Sequence, residues 1–216
     1  MDEREEAGAA LPAAPLDDAS LRALTLDGVK ALAAAMLEEA AKNPSSPLRK
    51  PALATVSASG APAVRTVILR SADLAARRLG IFTDARSRKV ADLEAEPRAE
   101  LLFFDPACDI QLRLAGRAEI RIGDEAAWES AAPPSRRAYL VTAPPGTVSV
   151  EPVSGLPSDI AGIIPSLERM EEGRVNFAYI EFTLDEADIV VLSRAGNRRA
   201  RIRYLAHGEH AEWLVP

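Results

Sequence analysis

The sequence predicts a mainly β, α+β fold: a small antiparallel barrel with flanking helices. Three observations lead there. Short runs rich in β-formers recur at close spacing along the chain, punctuated by Gly and Pro. Helical periodicity is confined to a few segments. The first three β-rich runs are joined by links too short for a crossover helix, which disfavours a doubly wound parallel sheet.

Taken in order, residues 1–19 are mostly Ala, Asp, Glu and Pro, and read as a flexible arm before a single domain over 20–216. Apolar residues Leu26, Val29, Leu32, Ala33, Met36 and Leu37 recur at helical spacing, so Leu21–Lys42 reads as a helix stopped by Asn43-Pro44. Ala52–Ser57 and Ala63–Leu69 read as strands joined by a turn through Gly60. Leu79–Thr83 is a third strand, Ser87–Glu96 a helix ended by Pro97, and Ala99–Phe104 a fourth strand. From Asp109 to Ile122 the pattern alternates, with Ile110, Leu112 and Leu114 on one face and Gln111 and Arg113 on the other. Gly116 marks a bulge or a close approach in that strand.

Asp124–Ala132 reads as helix, and 133–157 as a long Pro-rich loop with one helical turn around Arg136–Val141. Ser158–Glu172 reads as a helix interrupted by Gly162 and Pro165. Asn176–Leu184, Ala187–Ser193, Ala200–Ala206 and Glu212–Val215 complete the strands.

Composition narrows the function. The chain has 216 residues and 48% apolar content, enough for one sizeable core. No apolar run approaches a membrane-spanning length, and the acidic start lacks a secretory signal pattern, so the expected location is cytoplasmic. The net charge of −6 argues against a general nucleic-acid binder. A single cysteine, Cys108, excludes an intramolecular disulfide and reads as a packing thiol. Only two histidines, His207 and His210, leave a His-based metal site poorly supplied, and no metal is expected.

The most informative stretch is Arg65–Gln111. Thr83-Asp84 ends a strand and Arg86-Ser87-Arg88-Lys89 opens a helix. The first turn of a helix carries free N–H groups and the positive end of its dipole, so hydroxyl, guanidinium and ammonium groups gathered there form a phosphate cradle. Only four of the 26 basic residues are Lys, and Lys89 is the last of them. A second reading stands beside this one, a solvated helix start that is basic by chance.

Here the chain resembles the FMN-binding split-barrel family typified by pyridoxamine 5′-phosphate oxidase. The resemblance is carried by PALATVSASGAPAVRTVILR (Pro51–Arg70), IFTDARSRKVADLEAEPRAELLFFDP (Ile81–Pro106) and QLRLAGRAEI (Gln111–Ile120), in order and at family spacing. Weaker likeness extends to Ser135–Thr147, Asn176–Phe182, Arg198–Tyr204 and Trp213–Pro216.

The resemblance implies an antiparallel split barrel that binds FMN at the interface of a homodimer. It implies that Arg65, Thr66, Val67, Ile68 and Leu69 line the flavin ring with backbone, Arg65 reaching toward the phosphate. Phe82 and Thr83 would flank the ribityl chain and phosphate, and Ser87, Arg88 and Lys89 would hold the phosphate. Gln111 would reach the ring from the other subunit; alternatively it is a polar residue on a solvent-facing strand. Arg199 and Arg201 belong to a row with Arg203 that reads either as anion-facing, toward FMN phosphate or substrate, or as a charge-defended edge strand.

Departures fall in the vitamin half. Arg70 stands where the family has a lysine after the flavin strand, and is counted with the cofactor residues. The C-terminal region Asn197–Arg201 lacks the family's Arg-x-His word, DIVVLSR (Asp188–Arg194) lacks its Trp, and Trp128–Ser135 lacks its substrate word. The expected function is therefore an FMN-dependent oxidoreductase acting on a small molecule that is not identified. The alternatives are true pyridoxamine/pyridoxine 5′-phosphate oxidase activity, or a non-catalytic flavin-binding protein.

Overall fold

Nine strands carry the β-rich runs in the computed structural model, which describes residues 18–216: β1 (Ala52–Val56), β2 (Pro62–Thr66), β3 (Leu69–Asp73), β4 (Arg78–Asp84), β5 (Arg98–Asp105), β6 (Ile110–Ile122), β7 (Phe177–Val191), β8 (Arg198–Leu205) and β9 (Gly208–Leu214). They form one antiparallel sheet in the order β2-β1-β5-β6-β7-β4-β3, with β8 paired to β7 and β9 to β8. The helices are α1 (Asp18–Ala23), α2 (Leu26–Lys42), α3 (Arg88–Ala95), α4 (Glu125–Ser130), α5 (Pro133–Arg137) and α6 (Leu167–Glu171). The arm expected over residues 1–19 lies outside the described residues up to position 17; Asp18 and Ala19 belong to α1.

The sheet forks at β7. One edge of β7 pairs with β6 from Ile110↔Val191 to Ile122↔Ala178. Its other edge is shared, with β4 taking the stretch 177–183 and β8 the stretch 186–191. A bulge at the changeover places Asp185 as the extra residue, opposite the step from Ala115 to Gly116. A bulge bends a strand and raises its twist, which lets one strand serve two partners. Gly116 is required there, because a Cβ would stand 2.1 Å from the Thr183 carbonyl oxygen. The two strands expected at Asn176–Leu184 and Ala187–Ser193 are thus one bent strand.

Other differences have local causes. The expected strand Ala63–Leu69 breaks after Thr66, where the Val67 N–H turns to the Pro51 carbonyl at 2.9 Å and the chain moves on to pair with β4. The helix expected over Leu21–Lys42 is two helices, since Thr25 is extended and caps α2 by accepting from the Gly28 N–H at 3.1 Å. Gly162, at φ +77, and Pro165 reduce Ser158–Glu172 to a 3₁₀ turn and the short α6.

The core lies between the sheet and α2. Leu53, Leu101, Phe103, Leu112, Leu114, Ile189 and Ile202 are buried on the inward face, and α2 buries Val29, Ala33, Met36, Leu37 and Ala40 against them. A smaller aromatic cluster of Trp128, Tyr139 and Phe177, with Phe82 and Tyr179, forms at the far end of β7.

Candidate cofactor site

β4 ends at Asp84, a short turn follows, and Ser87 caps α3. The Ser87 hydroxyl makes no capping bond to its own helix. It faces the Thr83 hydroxyl at 3.3 Å, and the Lys89 ammonium donates to both, at 2.9 Å to Thr83 and 3.2 Å to Ser87. Thr83 and Ser87 are buried and Lys89 is half-buried. Lys89 has no carboxylate partner among the described residues. Burial depresses its pKa, the Arg65 guanidinium depresses it further, and Asp84 opposes both.

Arg65 reaches this corner from β2. Its guanidinium donates to the Thr55 hydroxyl at 2.6 Å, the Leu53 carbonyl at 3.3 Å and the Asp92 carboxylate at 3.3 Å. Asp92, on α3, is 4% exposed and also accepts from the Thr55 hydroxyl at 3.1 Å. Asp92 therefore balances Arg65, and Lys89 is the cation left over beside the N-terminus of α3. Neither Asp92 nor Thr55 stands out in the sequence reading. The available signals were the i, i+4 spacing of Arg88 and Asp92 and a threonine on the inward face of β1.

The cluster is smaller than the run Arg86–Lys89 implies. Arg86 grips Asp84 through two nitrogens, at 3.0 and 2.7 Å, and donates to the Val141 carbonyl at 3.0 Å. Its charge is matched and it ties down the start of the Pro-rich loop. Arg88 points outward with its side chain 76% exposed, 3.9 Å from Asp92.

Thr66 and Ile68 are exposed, whereas Val67 and Leu69 are buried, so Leu69 offers a ligand only backbone. Phe82 faces the opposite side of β4 from Thr83, as alternation requires. The Arg70 guanidinium lies over its ring, 5.2 Å from the centroid. The Arg70 Nε is buried without a partner, and burial lowers the pKa of this group. Arg70, Ser71, Phe82, Arg121, Tyr179 and Glu181 line a cavity of about 260 Å³.

Three sequence-predicted residues lie elsewhere. Gln111 is opposite Val190 and Thr83 is opposite Ala178, so they stand twelve positions apart along β7, about 40 Å of strand. Arg199 is also opposite Val190. It grips Asp188 at 2.9 and 2.6 Å, and Arg201 grips Glu212 at 3.1 and 2.7 Å. Both readings of that row change. Carboxylates on the neighbouring strands answer its charge, and β8 is not an edge, because β9 covers it. Within one chain Arg199 and Arg201 do not join the Lys89 corner.

Residues 30–121, which contain the whole corner and Gln111 but neither Arg199 nor Arg201, match the family model of the pyridoxamine 5′-phosphate oxidase FMN-binding domain. That stretch is similar to the FMN-binding domain of pyridoxamine 5′-phosphate oxidases, and it makes up less than half of the chain. Among curated proteins, the chain is 52% identical over 65 residues to the pyridoxine/pyridoxamine 5′-phosphate oxidase of Anaeromyxobacter dehalogenans (strain 2CP-C), covering 30% of this chain and 32% of that protein. It is 48% identical over 73 residues to that of Bordetella avium (strain 197N), covering 34% of each. The chain thus matches about a third of the length of these relatives. Among solved structures, a pyridoxamine 5′-phosphate oxidase-related, FMN binding protein from Nostoc punctiforme PCC 73102 superposes with TM-score 0.67 at 22% identity, over 85% of this chain and 96% of that one. PhzG from Burkholderia lata 383, solved with tetrahydrophenazine-1-carboxylic acid, superposes with TM-score 0.56 at 18% identity, over 78% and 83%. The split barrel of these solved structures is the fold of this chain.

Proposed function

We propose that residues 20–216 form one FMN-binding split-barrel domain acting as an FMN-dependent oxidoreductase on a small molecule other than pyridoxamine 5′-phosphate. One observation carries the reading: the Lys89 ammonium is half-buried, lacks a carboxylate among the described residues, and meets two buried hydroxyls, with the Arg65 guanidinium near enough to lower its pKa. A phosphate monoester fits that donor set, because it supplies the anionic oxygens that Lys89, Ser87 and Thr83 lack. Arg88 adds charge from the rim. Arg65–Leu69 would present backbone to the ring, with Phe82 and Arg70 on the adjoining face. When bound, FMN supplies hydride transfer, and the protein contributes placement and electrostatics.

A second copy of the chain completes the site in this reading. Gln111 is too far along β7 to reach its own Lys89 corner. It shares a sheet face with Phe104, Leu102 and Val64, which are large apolar side chains left exposed, Val64 at 68%. A homodimer packed on this face would cover them and deliver Gln111 to the partner's flavin. The substrate is set apart by the missing Arg-x-His word at Asn197–Arg201 and by the closure of Arg199 and Arg201 onto carboxylates.

Mass spectrometry of the cofactor released from purified protein tests the reading, with FMN at up to one per chain expected. A protein that refuses added FMN would overturn it. Hydrogen peroxide release with pyridoxamine 5′-phosphate would restore the vitamin substrate, and FMN retained at full affinity by a monomer would remove the shared site.

A further inference from the structure

A cavity of about 500 Å³ lies under α2, walled by the β3–β4 turn and by β7 and β8. It shares no residue with the Lys89 corner, and its Arg77 stands at the opposite end of β4 from Thr83. The size is that of a small-molecule site. Its floor is aliphatic: Leu114, Leu184, Ile189 and Ile202. The roof is formed in part by Ala31 and Ala34 of α2, where larger side chains would close the space.

The polar groups gather at one end. Lys30 is ion-paired to Glu209 at the start of β9. Beside them the Arg77 guanidinium donates to the Leu205 and Gly208 carbonyls, at 3.2 and 3.3 Å, and stacks over the Tyr204 ring at 5.0 Å. These acceptors are neutral, so the charge of Arg77 is unmatched among the described residues. The Tyr204 hydroxyl likewise has no hydrogen-bond partner there. Two carboxylates also border the cavity. Asp27 is in the first turn of α2, where the helix dipole answers it. Glu38 is eight residues beyond Lys30, about 12 Å further along the helix.

We propose that this cavity is a second ligand site, which takes a medium-chain monocarboxylate. The chain lies on the aliphatic floor, and the carboxylate is held by Arg77 and the Tyr204 hydroxyl at the end away from Glu38. Arg77 keeps a partner in reserve because backbone carbonyls position its guanidinium without neutralising it. The site stands whether or not the chain binds FMN.

Isothermal titration calorimetry of the full-length protein with decanoate, decanol and decylamine, each below its micelle concentration, tests this. Decanoate is expected to bind at one site per chain, more tightly than decylamine. Arg77→Gln should weaken decanoate at least about tenfold and leave decanol unchanged, since a charge-assisted contact is lost and the apolar floor is kept. Ala34→Phe should abolish binding of decanoate and decanol alike; if that variant fails to fold by circular dichroism, Ala31→Leu replaces it with at least a tenfold loss expected. No heat of binding with wild-type protein at 1 mM ligand overturns the proposal. Decylamine binding as tightly as decanoate, or decanoate binding undiminished in the cavity-filling variant, overturns it as well.

Discussion

Lys89→Met separates the two things an unpaired cation does. In the free protein the ammonium is half-buried, has only hydroxyl partners, and faces both the positive end of α3 and Arg65. Methionine keeps the stem and removes the charge, and the Thr83 and Ser87 hydroxyls, 3.3 Å apart, can still bond each other. The variant should therefore be more stable without flavin, by about 1 kcal/mol, which raises Tm by about 2–4 °C for a chain of this size. With flavin the sign reverses. One charge-assisted contact to phosphate is worth about 1.5–3 kcal/mol, so FMN should bind about 10- to 150-fold more weakly. The pH dependence follows from the depressed pKa. Lys89 is protonated in both folded and unfolded chains below its folded pKa, and its penalty is fully present there. The penalty fades as pH rises through that value toward the ordinary 10.5, so the stability gap between variant and wild type should narrow over that window. Differential scanning fluorimetry of the apoprotein and flavin fluorescence quenching measure the two quantities. A variant that is less stable without flavin, yet binds FMN as wild type does, refutes the assignment of Lys89 as a phosphate cation.

Arg65→Met should behave oppositely in the free protein: it leaves the buried Asp92 carboxylate with the Thr55 hydroxyl and the exposed Arg88 at 3.9 Å, at a loss of about 3 kcal/mol in urea denaturation, and Asp92→Leu in the same chain should recover part of it. Gly116→Ala should lower stability by about 1–3 kcal/mol, because its Cβ collides with the Thr183 carbonyl and the β7 bulge must shift; an unchanged melting curve would contradict the register. Cys108 should react slowly with a disulfide reagent at pH 8, since burial, aided by Asp105, pushes its thiol up to about 11 and leaves roughly one thiolate in a thousand; reaction at the rate of free cysteine would show the site to be open.

The parts of the fold legible in the sequence were those set by local chemistry. The strand–turn–helix from Ile81 to Glu96, the stop at Asn43-Pro44 and the demand for glycine at position 116 are written in residues next to one another. What stayed hidden depends on which strand lies beside which. Asp185 and Glu186 fall between two expected strands because polar residues interrupt the run, yet they lie in one strand whose bulge absorbs the extra residue. β3 escaped notice because Leu69–Asp73 has no β-forming pattern; its pairing with β4 holds it. The site divides the same way. Thr83, Ser87 and Lys89 are within six residues of each other and turn geometry brings them together, whereas Thr55, Arg65 and Asp92 meet only through tertiary packing.

Charge matching decides which of the many arginines is free to act, and it is a property of register. Arg199 and Arg201 look like an anion-binding row when β8 is read alone. Placed between β7 and β9, each faces a carboxylate eleven residues away in sequence, and the row is closed. Arg86 looks like part of a phosphate cradle, but Asp84, two residues back, claims it and aims it at the Pro-rich loop. Lys89 and Arg70 are half-buried cations without a carboxylate partner among the described residues, and they flank β4 from its two faces. Burial lowers the pKa of both, which makes each unfavourable in the free protein. On the proposed reading, an anion bound on the Lys89 face of β4 would offset one of these costs and leave Arg70 to select what approaches Phe82. Arg70→Lys should therefore shift substrate preference or flavin reduction rate with FMN affinity nearly unchanged, while Lys89→Met shifts affinity first; equal effects on both quantities from both variants would mean that the two faces form one site.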